Sequence, residues 1–481
     1  MRYRESLTIP IALDRDAISP MHQQIAGQVT AAVDSRALLH GTRMPSTRTL
    51  ADLLGVSRGV AVAAYAELFA RGYLEGQPGS GTYVVDPRPS RSGTRAPVSH
   101  VDGPPVDLTP GQPSGEAFPL ASWRAAWREA SFRPPAPSLP PPFGLGALRQ
   151  AVGEHLVRTR GISLQGREVI VTSGAGHGLR LVLDALGLCG SAVAVEEPVA
   201  PAVLAAGGDD PVPLPVDREG ARIDGVPPSC RALVLGPDAQ MPTGAVLSAR
   251  RREAAAAWAR HNDGWLVELA CDAVFRPGAA GLPRLLGPAA GGTATLVGGF
   301  CDVLTPALKL GYAVVPAGLA RQIARRLAER AEQPPHVTQL AVAALLRDGT
   351  VLRRMYRLGR LYAGKRRLVE SALAALSPHA RLDRFEGVGT ALLHLPPGVD
   401  ATVVSEALRA VGIRVPSLAE YHFSGRPAAN ALVVGYGHLP DAALHTALAD
   451  LADALHTELG FTRSGAGRPN RFGRPDLVPA A

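Results

Sequence analysis

Residues 41–76 read GTRMPSTRTLADLLGVSRGVAVAAYAELFARGYLEG, and the caps and breakers in this stretch decide the N-terminal fold. A helix is expected over about Ser46–Leu54, stopped by Gly55, with a second running from near Ser57 to about Arg71. Serine oxygens suit helix starts because they accept free N–H groups of the first turn, and glycine suits the stop because it enters the left-handed region freely. Two helices joined by a tight glycine turn form a helix-turn-helix, whose second helix is built to lie in the major groove of DNA. Downstream, Tyr73–Val85 (YLEGQPGSGTYVV) reads as two short strands around Pro78-Gly79-Ser80-Gly81, a wing. Upstream, residues 20–39 place Ile25, Val29, Ala32 and Val33 on one face of a helix opened by Pro20.

Charge follows the same plan. Residues 1–86 hold eight arginines against eight acids, but residues 36–71 hold five against two, so the positive excess sits at the two helices. Arg48 and Arg58 stand at the openings of those helices beside Ser46 and Ser57, a placement suited to phosphate and base-edge contact. The pattern M-P-S-T-R…L-A…L-G-V-S-R…A-Y…L…G-Y-L…G-S-G-T, spread over about residues 18–86, resembles the winged helix of the GntR regulators. The resemblance implies that Ser46, Arg48, Ser57 and Arg58 contact double-stranded DNA and that the Gly79, Ser80, Gly81, Thr82 turn is the wing tip. Gly59 and Val60 stand where that family usually has threonines, which removes possible phosphate contacts.

Working outward, residues 87–105 (PRPSRSGTRAPVSHVDGPP) lack apolar periodicity and read as a linker after a DNA-binding domain at 1–86. Residues 457–481 have a similar character, carry Arg463, Arg468, Arg471 and Arg474, and read as a disordered basic tail. Between them, β-rich runs at Val169–Thr172, Ala192–Val195, Ala232–Leu235, Trp265–Leu269 and Thr295–Val297 alternate with Ala/Leu/Arg-rich helical stretches. That alternation implies an α/β fold around a mostly parallel central sheet.

From residue 106 to about 456 the chain resembles the fold-type I aminotransferase domain of MocR-type GntR regulators, the pyridoxal-phosphate-dependent transferase fold. The landmarks are P-G-Q-P at 110–113, G-x-x-x-L-R at 144–149, T-S-G-A at 172–175, E-E-P at 196–198, P-D-A-Q-M-P-T-G at 237–244 and K-L-G-Y at 309–312. Gln240 looks like the regulator version of its loop. The resemblance implies a smaller C-terminal α+β subdomain from about residue 350 to 456. It also assigns a cofactor site whose residues have changed. The Schiff-base lysine of the strand G-T-F-S-K falls at Asp302 in Gly298-Gly299-Phe300-Cys301-Asp302. The ring-nitrogen carboxylate falls at Leu269 and the ring-oxygen phenol at Cys271; Asp272 cannot substitute, because alternate residues of a strand share a face. Lys309 replaces a phosphate-gripping arginine, Ala200 a tyrosine, and Leu139 a second tyrosine, while Ser173, Gly174 and Ala175 would cradle the phosphate. His177, near that cradle, reads as a ligand residue or as a helix cap, with the cap favoured.

Pyridoxal phosphate chemistry needs an amine, a ring carboxylate and groups for the phosphate. Losing one partner of a buried charge pair costs roughly 3–5 kcal/mol and each lost hydrogen bond roughly 1–3, so these changes together imply binding weaker by four or more decades, by rough count. No cofactor is therefore expected, and a pseudo-aminotransferase is. Of 50 Lys+Arg residues only Lys309 and Lys365 are lysines, and Lys365, in an Arg-rich helical run, reads as solvated. Two alternatives stay open: pyridoxal phosphate as an effector held noncovalently or through Lys309, and a working aminotransferase with a DNA-binding appendage.

The rest of the composition is permissive. Length 481, with 46% hydrophobic and 19% charged residues, suits two or three globular domains. Net charge is +8, a mild bias toward polyanions. No window approaches the roughly 18 apolar residues of a membrane span, and the start MRYRESLTIP does not read as a secretory signal, so a cytoplasmic, nucleoid-associated protein is expected. Cys189, Cys230, Cys271 and Cys301 are scattered without a C-x-x-C pair, which reads as buried small hydrophobes; Asp302, Cys301 and Cys271 are a weak metal pattern, and none is expected. A DNA reader of this type is expected to be a homodimer, with a small-molecule effector as a further partner.

Overall fold

The computed structural model describes residues 11–458 except 16, 18, 35–37, 39–41, 78–80, 85–105, 189–191, 209–210, 271–281, 288–291, 377–378, 384–388 and 426–428. The linker at 87–105, nearly all of the tail at 457–481, Cys189, Cys271, Asp272, Gly79 and Ser80 thus lie outside the described residues. The chain divides into two compact units, Met1–Pro97 and Val98–Ala481.

The first unit comprises α1 (Met21–Asp34), β1 (Arg43–Met44), α2 (Thr47–Leu54), α3 (Arg58–Ala70), β2 (Leu74–Gln77) and β3 (Gly81–Val84). Ser46 caps α2 by accepting the Thr49 N–H at 3.1 Å, Gly55 ends it at φ 61°, and Ser57 caps α3 by accepting from Val60 at 3.4 Å. α1 spans Met21–Asp34, and residues 35–37 and 39 of the stretch read as helical lie outside the described residues. Its Ile25, Ala26, Val29 and Val33 meet Ala61, Ala64, Tyr65 and Leu68 of α3 in one core. The buried Tyr65 hydroxyl donates to the Pro45 carbonyl at 2.6 Å and pins α3 to the entry of α2. β2 and β3 pair antiparallel, Leu74 opposite Val84 and Gln77 opposite Gly81. β1, only two residues long and not anticipated, adds to β3.

The second unit opens with β4 (Val106–Asp107), α4 (Leu120–Ser131), α5 (Gly146–Arg160), β5 (Arg167–Thr172), α6 (Ala175–Leu186), β6 (Val193–Glu197) and α7 (Pro201–Leu204). It continues through β7 (Pro211–Asp217), β8 (Gly220–Ala221), β9 (Ala232–Leu235), α8 (Ala249–His261), β10 (Trp265–Leu269), β11 (Ala294–Gly299) and β12 (Gly311–Pro316). α9 (Ala317–Arg330), α10 (His336–Arg347), α11 (Thr350–Leu373), β13 (Arg381–Leu382), β14 (Thr390–His394), α12 (Ala401–Ala410), β15 (Ile413–Arg414), β16 (Ala431–Gly435) and α13 (Asp441–Glu458) complete it.

Among the described residues the central sheet has eight strands in the order β5-β12-β11-β10-β9-β6-β7-β8. β11, β10, β9, β6 and β7 run parallel, while β12 and β8 are antiparallel to their neighbours. One face buries Ile170, Val195, Val234, Val267 and Val297 together with Leu179 and Val182 of α6 and Ile323 of α9. The other buries Val169, Val171, Leu233, Leu266 and Leu296 together with residues of α5, α8 and α10. Strands covered on both faces read as unbroken apolar runs, which is why these were legible. A second, antiparallel sheet, β13-β14-β16, packs with α12, α13 and the end of α11. β4 pairs with β15, so this smaller subdomain also takes in Val106 and Asp107 from the start of the unit. α11 joins the two cores, giving Val351, Met355, Leu358 and Tyr362 to one and Val369 and Leu373 to the other.

Candidate functional site

In the first unit Ser46, Arg48, Ser57, Arg58 and Gly59 are all exposed. The two serine hydroxyls already cap their helices. Arg48 and Arg58 form no ion pair or hydrogen bond among the described residues, so both guanidinium groups stand free for an anionic partner. Gly81 and Thr82 open β3, with Thr82 half-buried opposite Met44.

In the second unit the register brings the remaining residues to one edge of the sheet. Thr172 lies opposite Gly311 and Gly311 opposite Gly299, while Leu269 lies opposite Val297. Ser173, Gly174 and Ala175 therefore leave β5 at the edge where Leu269 ends β10, where β11 runs out toward Asp302, and where Lys309 leads into β12. Ala200, following β6, lies at the same carboxyl edge, where α/β sheets bind their ligands.

Gly174 is the N-cap of α6 at φ 100°, and a side chain built there would meet nothing within 4 Å, so the backbone faces open space. The Ser173 N–H donates to His177 Nδ1 at 3.0 Å, and His177 Nε2 lies 3.2 Å from a Glu332 carboxylate oxygen. Desolvation lowers the His177 pKa against the pull of Glu332, so this imidazole is neutral and serves the helix start. The Ser173 backbone donor at the start of α6 is thereby engaged by a side chain.

Asp302 lies two residues after Phe300, whose ring packs tilted against Tyr312 with centroids 5.8 Å apart. Asp302 is exposed, and desolvation raises its pKa although the Cys301 thiol donates to Oδ1 at 3.5 Å. Desolvation, with Asp302 beside it, pushes Cys301 up to about 12, so it stays a thiol and makes a poor metal ligand. Cys301 is half-buried and Cys230 buried. Leu269 is half-buried and shares the sheet face of Val267, whereas Glu268 points to the opposite face and binds Arg160. Leu139 is 60% exposed. Lys309 is exposed in the left-handed region at φ 44°.

Lys365 corrects the sequence reading. It is buried, not solvated: its Nζ lies 2.5 Å from Glu116, 3.3 Å from the Gly437 carbonyl, and bonds the Leu439 carbonyl as well. Val351, Met355, Leu358, Tyr362, Lys365, Val369 and Leu373 follow a three-four spacing along α11, so the buried stripe was written in the sequence.

Loops around the edge are fixed by groups that the sequence did not single out. Glu197 accepts from the Phe423 and Ser424 N–H groups and the Ser424 hydroxyl, each at 2.7 Å, tying β6 to the smaller subdomain. Burial works to raise its pKa, but these bonds prevail and lower it. Buried Gln240 donates to the Pro198 carbonyl at 2.5 Å and accepts from the Thr243 hydroxyl at 2.6 Å. Arg354 donates to the carbonyls of Val303 at 2.5 Å and Ser114 at 2.6 Å, locking the turn after Asp302 to the 114–118 segment.

A carboxyl at 302 cannot form a carbon–nitrogen double bond, and a leucine at 269 offers no charge to a ring nitrogen. Among the described residues, the amine at this edge is that of Lys309.

Comparison with known proteins follows the same division. Residues 21–84 match the bacterial regulatory proteins of the gntR family. The chain is 34% identical to the HTH-type pyridoxine biosynthesis transcriptional regulator PdxR of Corynebacterium glutamicum, over 93% of this chain and 98% of that protein. It is 28% identical to the probable rhizopine catabolism regulatory protein MocR of Rhizobium meliloti, over 95% and 97% of the two chains. Among solved structures, kynurenine aminotransferase of Pyrococcus horikoshii is similar with a TM-score of 0.67 at 20% identity, covering 74% of this chain and 92% of its own. Aspartate aminotransferase of Thermus thermophilus is similar with a TM-score of 0.63 at 24% identity, covering 73% and 92%. At such identities the likeness speaks for fold alone: the second unit is aminotransferase-like.

Proposed function

Since the chain belongs to the MocR-type branch of the GntR family of transcriptional regulators, we propose that its aminotransferase-like unit pairs two chains and senses a small molecule without catalysing transamination. The observation that carries this reading is Asp302, a carboxyl after β11 at the position matched to the Schiff-base lysine. Leu269, Ala200 and the His177–Ser173 bond support it, because each withdraws a contact that the cofactor would use. The first unit reads an operator through Ser46, Arg48, Ser57 and Arg58, with residues 79–82 as wing tip. Pairing matters because one winged helix covers few base pairs, whereas a two-fold pair doubles the contacts and fixes half-site spacing. Binding to the chromosome places the protein in the cytoplasm.

A second reading keeps pyridoxal phosphate as a reversible effector. The open backbone at the start of α6 and Lys309 at the same edge favour an anionic ligand, and one relative is named for pyridoxine biosynthesis. Footprinting of full-length protein on a selected duplex, with sedimentation of the complex, tests the main reading. Two related half-sites bound by two chains are expected; one chain on one unrepeated site would contradict pairing.

A further inference from the structure

The exposed side of α3 is almost bare of hydrogen-bonding groups. Ala61, Ala64, Tyr65 and Leu68 are buried, leaving Arg58, Gly59, Val62, Ala66, Phe69 and Ala70 exposed, with Ala63 half-buried. At 100° per residue these outward residues form one continuous arc, and Arg58 is its only side chain able to hydrogen-bond. Glu67 lies beside the arc but is turned to Arg71 at 3.5 Å. Val62 is 47% exposed one turn beyond Arg58, on the same face.

An apolar surface of this kind has one complement on the major-groove floor. Guanine, adenine and cytosine present donors and acceptors there, whereas thymine also presents a C5-methyl group. Gly59 and the alanines add no bulk that would hold the helix away. The five arginines against two acids in residues 36–71, with Arg48 and Arg58 at adjacent helix starts, select a polyanion over an apolar protein partner for this face.

Building on the DNA-reading role proposed above, we infer that Val62 is a specificity residue that recognises a thymine C5-methyl group, beside the polar contact of Arg58. Discrimination at that position arises from burying two apolar groups against each other. Arg58 sets a different position.

Full-length protein would first be used to enrich a duplex from a random-sequence pool. Thymines of that duplex are then replaced one at a time by deoxyuridine, which removes only the methyl. In each half-site one replacement is expected to weaken binding about fourfold, the worth of one buried methyl. In Val62→Ala the same replacement should cost nothing, while sensitivity at the Arg58 position persists. Full affinity for a duplex with every thymine replaced, or equal methyl sensitivity in wild type and Val62→Ala, would overturn the inference alone. Failure to enrich any duplex would overturn the DNA-reading role and the inference with it.

Discussion

Ser57 and Arg58 are neighbours with separable duties. Ser57→Ala removes the hydroxyl that accepts from Val60, which should cost the first unit about 1 kcal/mol of stability. Arg58→Ala removes no hydrogen bond or ion pair among the described residues, so thermal melting should be unchanged while operator affinity falls by about 1–3 kcal/mol. Gel-shift titration beside melting curves separates the two, and an unaltered shift for Arg58→Ala would remove it from the interface. Glu196 offers a second test at this scale. Desolvation raises its pKa from an ordinary 4.5 to about 8, against the Gly236 N–H that favours the anion. The folded chain keeps this proton where the unfolded chain has released it, so stability falls as pH climbs from about 4.5 to 8, by at most about 1.4 kcal/mol per pH unit. Glu196→Gln should flatten that slope and stabilise the protein at pH 8, read from denaturant midpoints; an unchanged slope would reassign the titration elsewhere.

At the scale of elements, helix and strand starts were legible wherever a local rule set them. Ser46, Gly55 and Ser57 bound the helix-turn-helix, and Ala232–Leu235 and Trp265–Leu269 emerge with the limits read from apolar runs. β7 was not legible because Pro211, Pro213 and Pro215 argue against a strand; it is tolerated near the sheet margin, next to two-residue β8. β12 was hidden inside the K-L-G-Y landmark, and its antiparallel direction depends on neighbours that no local pattern reveals. Lys365 was misread because an arginine-rich run suggests solvent, although its register on α11 points inward. Long-range partners were beyond reach in the same way. Asp238 collects Arg160 at 2.8 Å, Arg252 at 3.0 Å and Arg284 at 3.1 Å, joining α5, α8 and the loop after β9. Asp238→Ala would leave these cations without their shared partner and should destabilise the second unit by about 3–5 kcal/mol in urea unfolding. A loss below 1 kcal/mol would show that the arginines rearrange at little cost.

For the molecule as a whole, residue identity and fold point in different directions: the second unit keeps an aminotransferase-like architecture while position 302 carries a carboxyl. Each unit folds around its own core. The division of labour is therefore testable unit by unit, DNA affinity against Arg58 and ligand chemistry against the carboxyl edge of the central sheet. The most direct measurement mixes purified full-length protein with pyridoxal phosphate, reduces with borohydride, removes free ligand and weighs the intact chain. The account predicts an unchanged mass and no retained visible absorption. A single pyridoxyl group fixed to Lys309 or Lys365 would contradict it.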